Sequence, residues 1–176
     1  MNFKIIAATK NELFETALLS SVEWIFDLDP DIATIQERAY RAHKLSKKYF
    51  IHFDLATGIG KDKSGLAFAM DMGIDGIVST RVNIVKMARE LGLFTIQRFF
   101  IVDSHSVETT LEGIRSAKPD MIEIMPGTVY KVISKLSKTT DTQIIAGGLI
   151  ETQPELEEAL AAGACAVSTS RTEFWK

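Results

Sequence analysis

Cysteine is almost missing from this chain: Cys165 is the single one among 176 residues. A lone thiol excludes a disulfide framework and a cysteine-based zinc site, and it suits a reducing, cytoplasmic setting. No apolar run approaches the ~20 residues that a membrane-spanning helix needs, so no membrane partner is expected. The opening residues Met1-Asn2-Phe3-Lys4-Ile5-Ile6 run directly into strand-like sequence and lack the pattern of a secretory signal. The three histidines, His43, His52 and His105, fall without HxH or HExxH spacing. His52, Asp54 and Asp62 offer donor atoms at no spacing that compels a metal, and neither metal nor cofactor is expected. GxSxG and GxGxxG are both absent, which removes the hydrolase elbow and the dinucleotide fingerprint. No lysine sits inside an apolar strand-like run where a Schiff base would need it; Lys61 and Lys63 are loop residues. A net charge of −3 gives no global pull toward nucleic acid, so any such contact requires a local basic face.

What is present is a regular alternation. Short apolar runs recur at Lys4–Ala8, Glu23–Leu28, Tyr49–Leu55, Gly76–Ser79, Thr95–Val102, Met121–Met125, Gln143–Ala146 and Ala164–Ser168. Between them, Glu12–Leu19, Ile32–Lys47, Arg81–Leu91, Val107–Ser116, Val129–Leu136 and Pro154–Ala162 carry apolar residues at helical spacing. Asp29-Pro30-Asp31 reads as the capping turn before the second helix, and Gly73, Gly92 and Gly163 sit where helix C-caps belong. Continuous Val/Ile/Ala/Phe strands alternating with helices indicate a parallel sheet buried on both faces. Eight units in 176 residues allow 22 each, and the last three begin at Asp120, Thr142 and Ala164 in steps of 22. The expected fold is a compact (β/α)8 TIM-like barrel, one domain over residues 1–176; a doubly wound sheet would leave two strands unexplained.

In such a barrel function collects at the C-terminal strand ends. Gly147-Gly148 and Ser168-Thr169-Ser170 end neighbouring strands in residues with little or no side chain, leaving backbone N–H groups open to an anion. With Gly127, after Pro126, they form the candidate phosphate grip. His52, Asp54, Arg98 and Glu123 are the candidate polar contacts to the rest of the ligand. His52 and Asp54, two apart on one run, are expected to face the same side. Arg98 and Glu123 lie mid-strand and must be paired or neutralised, either with each other or by a ligand. His52 also reads as a satisfied core histidine, and Asp103 as no more than a helix cap. Two basic clusters stand out: Arg38, Arg41, Lys44, Lys47 and Lys48 with Tyr40 and Tyr49, and Arg81, Lys86 and Arg89 with Lys131, Lys135 and Lys138. The first, through Arg38, Arg41, Lys44 and Lys48, is the better nucleic-acid candidate because two tyrosines add stacking surfaces; a solvated helix face is the plain reading of either.

Six segments in order resemble the glycerol-3-phosphate-responsive antiterminators, the regulators of glycerol uptake operons. They are His52-Phe53-Asp54-Leu55 with Gly58-Ile59 and Asp62, then Asp75–Arg81, Ile96–Ser104, Pro119–Gly127, Ile145–Ile150 and Val167–Ser170, with Trp175 near the end. Residues 1–47 carry less of the pattern: Ala7-Ala8-Thr9-Lys10-Asn11 stands where the family tends to have an arginine. The resemblance implies a barrel that is not an enzyme. Such a protein senses glycerol 3-phosphate and binds leader mRNA, preventing premature termination upstream of glycerol-utilisation genes. The glycine-rich loop Ala56–Gly65 is the expected mobile element coupling the two. A homo-oligomer is compatible with the sequence and not required by it. The residues alone also allow a small TIM-barrel isomerase or lyase acting on a phosphorylated triose or sugar, with His52, Asp54 or Glu123 as acid–base groups, and a sensor that works through a protein partner.

Overall fold

A computed structural model describes residues 5–176. Eight parallel strands close into a barrel in chain order, β8 pairing with β1. The elements are β1 Ile5–Thr9, α1 Phe14–Leu19, β2 Trp24–Asp27, α2 Ile35–Lys44, β3 Lys48–His52, α3 Lys63–Asp71, β4 Gly76–Ser79, α4 Val82–Glu90, β5 Phe94–Phe100, α5 Ser104–Ala117, β6 Met121–Met125, α6 Tyr130–Ser137, β7 Gln143–Gly147, α7 Gln153–Ala161 and β8 Ala166–Thr169. The expected barrel is therefore the observed one, with strands placed within two or three residues. Lys4, expected to open the first strand, lies outside the described residues. Among the described residues no helix is long and apolar enough to cross a membrane.

Alternation along each strand sorts side chains into two cores. Ile6, Trp24, Phe26, Phe50, Val78, Ile96, Met121, Ile145 and Ala166 fill the lumen, and Trp24 stacks on Phe50 with ring centroids 4.5 Å apart. The intervening residues, among them Ala7, Ile25, Ile51, Ile77, Ile122 and Ile144, pack outward against the helices. Seven α-helices are present among the described residues. Where an eighth would follow β8 there is a 3-10 turn, Thr172–Phe174, and then Trp175, fully buried among Phe14, Ala17 and Leu18 of α1. Its indole N–H donates to the Thr169 carbonyl (3.1 Å) and its own carbonyl accepts from the Ser21 amide (3.0 Å). One large aromatic thus covers the seam that a helix covers in larger barrels.

Three local expectations change. The second helix starts at Ile35, not Ile32, because the Asp31 carbonyl accepts from the Thr34 and Ile35 amides and holds the preceding residues in a turn. α5 begins at Ser104, not Val107, since Asp103 caps it in a reciprocal box with Ser106. The segment expected to be a mobile loop ends inside α3: Asp62 caps that helix through the Gly65 amide (2.8 Å), and the Lys61 ammonium donates to the carbonyls of Ala56 and Ile59.

The first basic cluster is also resolved differently. Arg38 is buried and pairs with fully buried Asp27 (2.5 Å), which also accepts from the Tyr49 hydroxyl. Arg38 and Tyr49 are thus part of the layer between barrel and α2, and neither is available to RNA. Lys47 is buried too, donating to the carbonyls of Ser20 and Val22. Arg41 pairs with Glu15 (2.6 Å), Lys48 with Asp75 (2.7 Å), and Lys44 lies over the Tyr40 ring. Arg38→Ala strands the buried Asp27 charge and is expected to destabilise the fold by about 3 kcal/mol. Arg41→Ala, at an exposed pair, is expected to cost under about 1 kcal/mol. Urea denaturation of the two variants measures the contrast.

Candidate functional site

Above the apolar lumen lies a polar layer at the C-terminal strand ends. Arg98 of β5 and Glu123 of β6 are register partners, both buried, with Arg98 Nε donating to Glu123 Oε2 at 2.6 Å. Ser168 Oγ of β8 donates to the other carboxylate oxygen, Oε1, at 2.5 Å. A fully buried carboxylate needs this kind of saturation. Between them β7 contributes Gly147, where a Cβ would stand 2.4 Å from Glu123 Oε1 and 2.7 Å from Ser168 Oγ. Only a residue without a side chain fits there. The expected Arg98–Glu123 pair is present, and it also forms the floor of a cavity.

That cavity, about 240 Å³, is lined by Arg98, Glu123, Met125, residues 148–151 and 168–171, with Ala8 and Leu28 on the far wall. After β7 the chain passes through two left-handed residues, Gly148 (φ 72°) and Leu149 (φ 56°). Leucine in that region is disfavoured by about 1–2 kcal/mol. The amides of Gly148, Leu149, Ile150 and Ser170 have no protein acceptor among the described residues. At the rim Arg171 pairs with Glu151 at 3.0 Å, both partly exposed. The lining charges, Arg98 and Arg171 against Glu123 and Glu151, therefore balance.

Of the residues singled out in sequence, Gly148, Ser168, Thr169, Ser170, Arg98 and Glu123 meet at this cavity. Gly147 supports it from behind. Gly127 does not line it: its amide is spent on the Gly148 carbonyl (2.9 Å), and it packs on Ile150. Nor does His52, buried at the end of β3 with Nδ1 unpartnered. Asp54 departs from the expected strand altogether. It sits in the 3-10 turn Phe53–Leu55 and accepts from the Ser79 hydroxyl (2.7 Å) and from the Thr80 amide and hydroxyl (2.7 and 2.9 Å). Burial raises its pKa, but these donors outweigh it and hold the carboxyl below its ordinary range. It ties β3 to β4. His52, Asp54 and Asp62 do not converge as a metal-binding group. Leu149, Ile150, Glu151 and Arg171 were not among the candidate site residues, their signal being only their place in or beside the two small-residue strand ends.

This is a (β/α)8 barrel with a cavity at the ends of strands seven and eight that has a neutralised charged floor and, among the described residues, a rim of amides without protein acceptors. The chain belongs to the glycerol-3-phosphate responsive antiterminator family, whose model matches residues 4–175. The match takes in residues 4–47, the stretch where the family segments were thinnest. The uncharacterized protein YgcP of Escherichia coli K12 is 35% identical over 173 residues, 97% of this chain and 91% of that one. The crystal structure of a glycerol uptake operon antiterminator regulatory protein from Listeria monocytogenes superposes with a TM-score of 0.93 at 32% identity, covering 99% of this chain and 96% of that one. A glycerol uptake operon antiterminator-related protein from Thermotoga maritima gives 0.88 at 29% identity, covering 99% of each chain. A deoxyribose phosphate aldolase from Aeropyrum pernix, at 13% identity and TM-score 0.73, shares the fold alone.

Burial first, and Arg98 second, push the His52 pKa below the ordinary histidine value of 6.5, against the pull of Asp54 and Glu123. The unfolded chain then binds the proton more readily than the folded one. Stability should be full above about pH 6.5 and fall as the pH drops below it. His52→Gln is expected to flatten that fall, measured by denaturant titrations from about pH 7.5 to about pH 5.

Proposed function

We propose that this barrel is a metabolite-gated regulator that binds glycerol 3-phosphate at its mouth and, so loaded, holds leader mRNA to prevent premature termination of glycerol-utilisation transcripts. The observation that carries the ligand half is the run of amides at Gly148, Leu149, Ile150 and Ser170, without protein acceptors among the described residues, around a cavity floored by Arg98. Peptide N–H groups in a concave turn bind phosphate without a dedicated lysine. Because the lining charges balance, the phosphate gains a cation only when Arg171 exchanges Glu151 for it. That exposed pair contributes under about 1 kcal/mol, so the exchange is easy. The glycerol hydroxyls then face Arg98 and the Ser168–Glu123 pair.

The enzymatic alternative, an isomerase or lyase on a phosphorylated triose or sugar, has less support. Both Glu123 oxygens are engaged by donors, no lysine among the described residues lines the cavity, and His52 and Asp54 are not among its lining residues. The family membership weighs the same way. Gating requires that the metabolite prefer one of two states; equal affinity for both shifts nothing.

Isothermal titration with glycerol 3-phosphate, glycerol and inorganic phosphate tests the ligand. Glycerol 3-phosphate should bind tightest and remain unchanged in a parallel turnover assay. Gly147→Ala displaces Glu123 and should weaken binding about tenfold or more, equivalent to one lost charged hydrogen bond. Glu151→Gln frees Arg171 and should tighten it about two- to fivefold. Equal affinity for glycerol and glycerol 3-phosphate would defeat the phosphate assignment.

A further inference from the structure

Of the candidate nucleic-acid surface read from sequence, Arg38 is buried in an internal pair, Arg41 and Lys48 are engaged in exposed ion pairs and Lys44 rests over Tyr40. A different cluster stays unpaired. A cleft of about 500 Å³ between α4 and α5 is lined by Lys86, Arg89 and Lys118 together with Ser116. None of the three cations forms an ion pair among the described residues, and the one acid lining the cleft, Glu90, is held by Lys63 at 3.0 Å.

The ordinary structural account covers part of this. Arg89 lies in the last turn of α4 and Lys118 caps α5, so both sit at the negative end of a helix dipole. Lys86 has no such reason. It lies one turn before Arg89, where like charges three apart repel, and across from Lys118. Three convergent cations on a chain of net charge −3 are a local feature, not a consequence of composition. The cleft has Ala117 as its one apolar lining residue among the described residues, the rest of its apolar surface coming from the stems of charged side chains. It offers no pocket for the aromatic or aliphatic anchor that a protein partner inserts, and no surface to bury in a lipid layer. Lysine, arginine and a serine hydroxyl in an open groove are the donors that hold a nucleic-acid backbone.

We propose that the α4–α5 cleft grips the phosphate backbone of the RNA, an inference that rests on the regulatory reading above. Helix C-termini in this barrel lie at the N-terminal strand ends, so the cleft is at the opposite end from the metabolite mouth. RNA and glycerol 3-phosphate therefore bind without competing, and their coupling runs through the body of the barrel.

The test uses the full chain and a fluorescein-labelled transcript spanning a glycerol-utilisation operon leader and its terminator, with affinity followed by anisotropy across a salt series. Lys86→Glu with Lys118→Glu should weaken RNA binding by about tenfold or more and make the slope of log affinity against log salt shallower by about two. Glycerol 3-phosphate affinity and the thermal unfolding of that variant should match the parent, which separates lost contact from lost fold. RNA affinity within twofold of the parent would overturn the assignment. So would a loss confined to Arg41→Glu with Lys44→Glu, which would return the surface to α2, or tighter capture of polyglutamate than of the transcript, which would make the partner an acidic protein. A parent protein that binds no transcript with or without glycerol 3-phosphate would defeat the regulatory reading and this surface together, an outcome distinct from failure of the cleft alone.

Discussion

A single fully buried carboxylate organises the functional end of this barrel. Glu123 stands inside the lumen, where an unpaired charge is untenable, and four strands are shaped by its requirements. β5 supplies Arg98 as the counter-charge and β8 supplies the Ser168 hydroxyl. Between them β7 withdraws its side chain at Gly147 so that both contacts fit. Removing Arg98 or Glu123 leaves the other charge buried without its counter-charge, which costs more than the net worth of the intact pair. The cavity floor is thus rigid for an electrostatic reason, and the loops above it inherit a fixed base.

A second buried ionic group works on the outer side of the sheet. Asp27, Arg38 and Tyr49 join β2 and β3 to α2, and Asn11 reaches the same guanidinium from the turn after β1. The two groups lie on opposite faces of the strands, one inside the lumen and one beneath a helix. Together with Trp175 in place of an eighth helix, they let eight short units close without the long helices and loops of larger barrels.

The strands were legible because a parallel strand buried on both faces is a continuous apolar run bounded by turn residues. Arg98 and Glu123 were legible for the complementary reason: a charge inside such a run has to matter. What sequence did not yield depends on contacts between distant segments. Arg38 looks like any helix-surface cation until Asp27, eleven residues earlier, is placed under it. Asp54 follows His52 at strand spacing, yet Ser79 and Thr80 draw it into a turn. α3 was obscured because its first turn, Lys63-Ser64-Gly65, reads as loop, and only the close approach of Gly65 to the Gly60 carbonyl accounts for the glycine. Gly127 looked equivalent to Gly147 and Gly148, but its amide was already committed.

Leu149 has a consequence of its own. Its backbone is held in a left-handed turn while its side chain is largely exposed beside the cavity. A surface leucine there adds nothing to the core, so the turn sustains an unfavourable backbone state and wets an apolar group at once. Any occupant of the mouth that folds this side chain over itself recovers up to about 1.5–3 kcal/mol from its burial. That is of the order of the backbone strain. If the mouth takes the ligand proposed above, the exposed Leu149 would add an apolar component to the polar one, which a ligand presenting carbon could use and a bare inorganic anion could not.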